Sequence, residues 1–508
     1  MTTAPIRKLF FGDNLEIMRD EIADDSIDLV YLDPPFNSNR SYNVLFRGDD
    51  SRPSQARIEA FDDTWHWTRE TEAEYDNLVA NRETPREVTK AIDAFRRPLG
   101  KNDVMAYLVM MTPRLLEIHR ALKPTGAMYL HCDPTASHYL KVICDQVFGP
   151  TRFLNEIVWA YRDVGGKTTK YFKRKHDTIL AYAKGDEWTH NVQRGPLAVT
   201  TQKRYAPYFD ADGKITYRTL KESSPGVFAS LRSVPDDLDE VCLDRSQGTQ
   251  LPDWWTDITP VTRRALEGLG FQTQKPVALL ERIIKTASDE GAVVLDPFCG
   301  SGTTVAAAEG LGRSWIGIDI TYLALGLIKQ RLRDDYPGIE YEEQGSPKDS
   351  VGARALFDLS PESFEMWAVT LAGGRPNPKG GGDEAIDGGI RFLIDKETAG
   401  WITISVKGGD NVSVSMVRDL IGTVENEKTE MGVLVTRVPP TKGMLEEAAR
   451  AGSYVWPFNE SRFPKIQIIT TDELLRGERP KTPPESGTSE QAPNAIRDAD
   501  SGEQLSLD

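Results

Sequence analysis

An apolar run that stops at two prolines constrains this chain more than anything in its composition. Ile27-Asp28-Leu29-Val30-Tyr31-Leu32 leads directly into Asp33-Pro34-Pro35-Phe36. The run reads as a strand of a parallel sheet, which is covered on both faces and therefore apolar nearly throughout. Proline has no amide donor, so the ladder must end at Pro34 and leave the strand's carboxyl edge open. Open α/β sheets bind ligands at that edge. Taken alone, the tetrapeptide reads equally well as a strand-ending turn with a core phenylalanine.

The residue types suit one chemistry. An aromatic exocyclic amine is a poor nucleophile, because its lone pair is delocalised into the ring, and an enzyme must hold acceptors against its N–H groups. The Asp33 carboxylate and the Pro34 carbonyl are candidate acceptors. Pro34 and Pro35 fix the backbone, and Phe36 offers a flat face on which an extruded base could stack.

A second motif lies far downstream. Val293-Val294-Leu295 is a short apolar strand, followed by Asp296-Pro297-Phe298-Cys299-Gly300-Ser301-Gly302-Thr303-Thr304. Gly300 and Gly302 let the backbone turn close to a ligand, and Thr303 to Gly310 is expected to open a helix. The loop has neither the lysine of a phosphate-binding P-loop nor the glycine spacing of a dinucleotide fingerprint. The next apolar strand, Ser314 to Ile318, ends in Asp319, and an acid at that place suits ribose hydroxyls.

With these residues the chain resembles the β-class amino-methyltransferases of DNA over roughly residues 5 to 335. The resemblance implies a circularly permuted Rossmann-like α/β sheet and S-adenosyl-L-methionine as cofactor. It makes Asp33, Pro34, Pro35 and Phe36 the catalytic set. Phe298, Gly300 and Gly302 would line the methionine part, with Asp296, Cys299 and Thr303 in the same loop, and Asp319 would hold the ribose. Asp13 would lie near the adenine of the cofactor, and Lys275 belongs to Gln274-Lys275-Pro276, a motif ahead of a helix from Val277 to Ser288. Asp in the first position with an aromatic in the fourth is the pattern associated with N6 of adenine. N4-cytosine methylation is the alternative.

Length allows about three domain-sized units. With no apolar run of about eighteen residues and no signal-peptide profile, a cytoplasmic protein that does not span a membrane is expected. Cys132, Cys144, Cys242 and Cys299 form no C-x-x-C pair. A net charge of −16 argues against nucleic-acid binding over the whole surface, so contact with DNA must be local. Lys167 to His176, where cations alternate with aromatics, is a candidate, with a solvated loop as the plain alternative. Expected partners are DNA, with a restriction subunit or other defence-system protein and a homodimer as open alternatives.

Residues 1–185 read as the catalytic half, with 37–102 as an inserted lid bearing Asn37, Tyr42, Asp62, Trp65 and Trp67. A helix over Val104 to Leu122 carries an apolar stripe in which Met111 is packing. His131 and Asp133, at the end of the following strand, are secondary site candidates, with a buried satisfied histidine the favoured reading. Residues 186–265 stand where a target-recognition region is expected, and 266–335 form the cofactor half.

After a connection at 335–352, residues 353–475 read as a small α/β domain, and 476–508 as a disordered tail. Asp387 before one strand and Lys407 at the end of its hairpin partner have the spacing of a metal-dependent phosphodiesterase. The stretch resembles the Mrr-like branch of the PD-(D/E)xK restriction nucleases. This implies Mg²⁺ at Asp387 with Lys407 beside it, and a bifunctional enzyme that also cleaves DNA. Ser405 departs from the pattern, since Glu or Gln usually stands two before the lysine, and Asp383, Glu384 or Glu365 would have to substitute. A non-cleaving binding domain is the alternative.

Overall fold

A computed structural model describes residues 4–35, 41–44, 58–62, 66–161, 170, 172, 173, 175–231, 233–261, 274–376, 386–394 and 398–483. Its frame is a nine-stranded sheet. In chain order the strands are β1 (Arg7–Phe11), β2 (Ile27–Leu32), β3 (Leu122–Cys132), β4 (Phe153–Ala160) and β5 (His176–Ala183). They continue as β6 (Trp254–Trp255), β7 (Val293–Asp296), β8 (Ser314–Asp319) and β9 (Glu342–Gln344). The spatial order is β6-β4-β5-β3-β2-β7-β8-β1-β9. Every pairing is parallel except those of β5, which runs antiparallel to both β3 and β4.

The apolar run at Ile27–Leu32 is buried on both sides, as expected of a central parallel strand. Val30 and Leu32 enter the core that covers one face, and Leu29 and Tyr31 the core on the other. The first face is packed by α1 (Asn14–Glu21), α2 (Arg69–Ala80), α3 (Arg86–Leu99), α4 (Asp103–Ala121) and α5 (Ser137–Phe148). The second is packed by α6 (Val277–Ala287), α7 (Thr303–Gly310) and α8 (Tyr322–Asp335). The doubly wound, permuted arrangement therefore holds: β2 and β7, whose paired residues are 265 apart in sequence, lie side by side, Leu29 opposite Val294 and Val30 opposite Leu295.

Three boundaries move. Within the expected lid, α2 and α3 are not a cover but part of the helical layer. Leu78 and Ile92 are buried in the first core, and Trp67 lies under the Arg96 guanidinium and donates its indole N–H to Glu72. Of the remainder of that insertion, a backbone hairpin of residues 41–44 with 58–62 is described; Asn37 and Trp65 lie outside the described residues. The segment 186–265 has its own small core of Tyr205, Ile215 and Leu220, yet its end returns to the main sheet as edge strand β6. The connection at 335–352 contains β9, which pairs with β1 and closes the opposite edge, Lys8 meeting Glu342 at 3.5 Å.

The C-terminal domain begins with α9 (Ser350–Leu359) and α10 (Pro361–Leu371). Its five-stranded sheet runs β10 (Arg375–Pro376), β11 (Gly388–Leu393), β12 (Ala399–Lys407), β13 (Met431–Thr436) and β14 (Ile466–Thr470) in spatial as in chain order. Phe364 and Trp367 of α10 cover one face. Val417 and Leu420 of α11 (Val414–Asn426) and Met444 of α12 (Lys442–Arg450) cover the other. Tyr322 at the start of α8 is buried in this domain's core and stacks on Phe11, ring centroids 3.7 Å apart. No described helix is long and apolar enough to cross a membrane.

Leu295 is fully buried where β7 meets β2. Leu295→Ala is expected to destabilise the large domain by about 2–5 kcal/mol, because the rigid sheet around it cannot collapse into the cavity left behind. Calorimetry should show the unfolding of the large domain moved to lower temperature.

Candidate active site

The carboxyl ends of β2, β7, β8 and β1 open into one cavity. Asp33, Pro34 and Pro35 line it beside Asp296, Phe298, Cys299, Gly300 and Thr303, with Asp319, Asp13 and Lys275. The two motifs that sequence separates therefore face a common space. Phe36 lies outside the described residues.

The glycine loop is shaped by its own backbone. Gly302 adopts φ +74°, in the left-handed region that glycine tolerates, and its amide donates to the Cys299 carbonyl at 2.7 Å. A Cβ there would also meet Ile328 Cγ1 at 2.6 Å, so glycine is needed twice over. Gly302 turns the chain and is not itself among the lining residues, whereas Thr303, first residue of α7, is. Cys299, expected in the cofactor loop, lines the cavity, and its side chain is also part of the core shared by β8 and α7.

The acids are held in distinct ways. Asp296 is buried and accepts the Phe298 amide at 3.0 Å. Burial pushes its carboxyl up to about 7; the Thr304 hydroxyl bond opposes the shift, and the charges of Asp33 and Asp319 add to it. Asp319 accepts the Gly300 amide at 2.9 Å through one oxygen, and the Thr321 amide and hydroxyl, both at 2.9 Å, through the other. Burial raises its pKa too, against those hydrogen bonds. Its second-strand carboxylate thus braces the glycine loop directly.

Asp33 is different. One carboxylate oxygen pairs with the Lys275 ammonium, while the other, Oδ1, is buried without a hydrogen-bond partner among the described residues. An unsatisfied buried acceptor is uncommon enough to need a reason, and a donor brought by a ligand is one. Lys275, expected as a cofactor contact, lines the same cavity and is also the partner that holds Asp33.

Sequence reasoning missed Asn14 and Arg114. Asp13 caps α1 by accepting the Leu15 amide at 2.8 Å, and Arg114 of α4 donates to its other oxygen at 2.8 Å. Arg114 also donates to Asn14 at 2.6 Å, and Asn14 donates to the Pro297 carbonyl at 2.7 Å. This chain links the ends of β1 and β7 through a helix from elsewhere. The signal was present: Arg114 falls four residues after Met110 and four before Ile118, on the buried stripe of an apolar helix. A charge there must be paired.

The secondary candidates are structural. His131 is fully buried between the Tyr31 hydroxyl at 3.0 Å and Asp177 at 3.2 Å. Asp133 accepts from Thr135 and Ala136 in a turn and is not among the cavity residues. Half of Lys167 to His176 lies outside the described residues, and Phe172, which is described, is fully exposed.

Asp387, expected as a metal ligand beside Lys407, is engaged within the hairpin. Asp387 is buried at the start of β11, and one of its oxygens accepts the Val406 amide at 2.6 Å and the Ser405 hydroxyl at 3.4 Å. Its carboxylate ties the hairpin together. Among the described residues no group of three His, Cys, Asp or Glu could share a metal ion, and Asp383 and Glu384 lie outside them. Mg²⁺ is held by one or two carboxylates with water and substrate oxygens completing its shell, and Asp387, with one oxygen already given to the Val406 amide and only the neutral Ser405 hydroxyl beside it, does not fit that role.

The comparisons agree with this division. A family model described as DNA methylase matches residues 27–329, more than half of the chain. A second, described as NACHT-associated inactive Restriction Endonuclease 1, matches residues 361–476. Type II methyltransferase M.EcaI of Enterobacter cloacae is 27% identical over 307 residues, covering 52% of this chain and 67% of its own length. Type II methyltransferase M.BamHI of Bacillus amyloliquefaciens is 28% identical over 330 residues, covering 64% of this chain and 57% of its own. The chain thus spans between about half and two thirds of these relatives. Among solved structures, an M1.HpyAVI–SAM complex aligns at 15% identity and a TM-score of 0.32, covering 64% of this chain and 98% of that one.

The Asp296 carboxyl gives the site a pH signature. A carboxyl whose folded pKa lies above its unfolded value of about 3.9 costs stability where the folded form must ionise. Its contribution is neutral below about pH 4, worsens as pH rises, and levels off above the folded value near 7. Asp296→Asn should flatten that slope between about pH 4 and 7 in urea titrations; an unchanged slope would assign the dependence elsewhere.

Proposed function

The chain belongs to the DNA methylase family through residues 27–329, and on that premise we propose that it transfers a methyl group from S-adenosyl-L-methionine to the N6 amino group of adenine at a defined DNA sequence. The observation that carries this reading is the buried, unpartnered Oδ1 of Asp33, opening with Pro34 into the cavity that the glycine loop also lines.

The residues fit the cofactor. The cavity brings the carboxyls of Asp33, Asp296 and Asp319 together with the loop at Gly300, and a ligand that carries a sulfonium and an ammonium would favour their ionised forms. S-adenosyl-L-methionine supplies an already activated methyl group, so the protein's task is placement. Asp33 Oδ1 accepts one N–H of the target amine and the Pro34 carbonyl the other, which orients the nitrogen lone pair toward the methyl donor. Lys275 holds the Asp33 carboxylate in place during this step. Arg114 and Asn14 keep the ends of β1 and β7 at fixed separation, so that donor and acceptor sites do not drift. The base must leave the duplex to reach Asp33, at a cost of a few kcal/mol that contacts to the flipped base offset.

Support for adenine over cytosine comes from the Asp33-Pro34-Pro35-Phe36 pattern itself. The segment 186–265, with its own small core beside the sheet edge, is read as the target-recognition region. Asp33→Ala is expected to lower methylation by at least about 100-fold while calorimetric binding of S-adenosyl-L-methionine stays within about threefold. Expression in a host without adenine methylation, followed by long-read mapping, should show N6-methyladenine at one motif. Marks on cytosine would overturn the base assignment, and normal turnover of Asp33→Ala the mechanism.

The C-terminal domain is read as a non-cleaving module, because Asp387 is engaged in the β11–β12 hairpin and Ser405 stands where Glu or Gln is usual. Purified protein with Mg²⁺ should leave unmethylated supercoiled DNA intact. Nicking that disappears in Asp387→Ala and Lys407→Ala would overturn this.

A further inference from the structure

A crevice between the two domains is lined by five cations. Lys329 and Arg333 come from α8, Arg375 and Arg391 from β10 and β11, and Arg479 from the segment after β14. No acidic side chain lines it among the described residues, although the chain carries 77 acidic residues against 61 lysines and arginines. Like charges that converge on a recess repel one another, and such a focus of positive potential draws a counter-ion.

The cations are not equivalent. Lys329 is partly neutralised by Glu343 at 2.7 Å, and Arg479 donates to the Leu474 and Glu478 carbonyls, which fixes its direction without cancelling its charge. Arg391 is half-buried, and its Nε is buried with no hydrogen-bond partner among the described residues. Leaving a guanidinium N–H dry and unpaired is costly unless a ligand completes it. Arg333 stands exposed at the same crevice. Several guanidinium forks around one recess match the oxygens of phosphoryl groups, to which arginine binds in bidentate fashion.

We propose that this interdomain crevice is a binding site for a phosphate-bearing polyanion, the phosphates of either a nucleic-acid strand or a free nucleotide, held by Arg333 and Lys329 from one domain and Arg375, Arg391 and Arg479 from the other. The site goes beyond methyl transfer and does not depend on it. A bound polyanion bridges α8, whose first turn follows the cofactor-side loop at Asp319 to Thr321, to the C-terminal sheet. Occupancy therefore ties the two domains together.

Sodium tripolyphosphate is the probe. Titrated into the full chain at low salt, it should bind saturably and raise the unfolding temperature. Arg391→Met should weaken binding by at least about tenfold, and the ligand-free variant should unfold no earlier than wild type, because it removes an unpaired buried donor. Exposed Arg333→Ala, which cannot compromise the core, should weaken binding in the same direction. Displacement of the probe by a short DNA oligonucleotide assigns the site to a nucleic-acid strand, and displacement by ATP alone to a free nucleotide. Absence of saturable binding, binding unchanged in both variants, or displacement by neither competitor overturns the proposal.

Discussion

Everything in the large domain depends on β2 lying parallel to β7. The pair is fixed where the strands begin, because the Asp28 carboxylate accepts the Val293 amide at 2.8 Å and the Lys123 ammonium at 2.8 Å. Beyond the end of β2, Asp33 is held by the ion pair with Lys275, in the segment that leads into α6. Between those ties, Leu29 and Val30 stand opposite Val294 and Leu295 in a core covered on both faces. Displacing the register by one residue would turn every side chain of β2 to the wrong face and carry Asp33 away from the glycine loop.

The site that results gathers carboxylates in a confined space. Asp33, Asp296 and Asp319 share one cavity, and each would prefer water or a cation. The fold answers each separately. Lys275 pairs with Asp33, backbone amides and the Thr321 hydroxyl hold Asp319, and Asp296 has its carboxyl raised to about 7. A cationic ligand would relieve this crowding. The same tension explains why Arg114 is buried: its guanidinium reaches Asp13 and Asn14 from a helix that is otherwise apolar.

The C-terminal domain is joined to this frame rather than loosely tethered. Tyr322 begins α8 on the large sheet, stacks on Phe11 and is buried in the smaller domain's core. Gly326, one turn later, lies so close to α10 that a Cβ would meet Thr370 at 3.3 Å. A nuclease-like strand and hairpin has thus kept its architecture while its acid serves the hairpin itself.

Local chemistry was legible in the sequence: where strands end at Pro34 and at the glycine loop, which positions need glycine, and which acids stand at strand tips. Those features follow from backbone sterics and period-two burial, which neighbours in sequence impose on one another. Fusion to a smaller α/β domain was legible for the same reason. The tertiary structure alone decided which strands become neighbours, so β6 and β9 were read as recognition region and linker although they close the sheet's two edges. It also decided that Lys275 serves Asp33, that Arg114 and Asn14 belong to the site, and that Asp387 is consumed by an amide. Pairing across hundreds of residues is set by burial of whole faces, and a side chain's partner is known only once those faces have met.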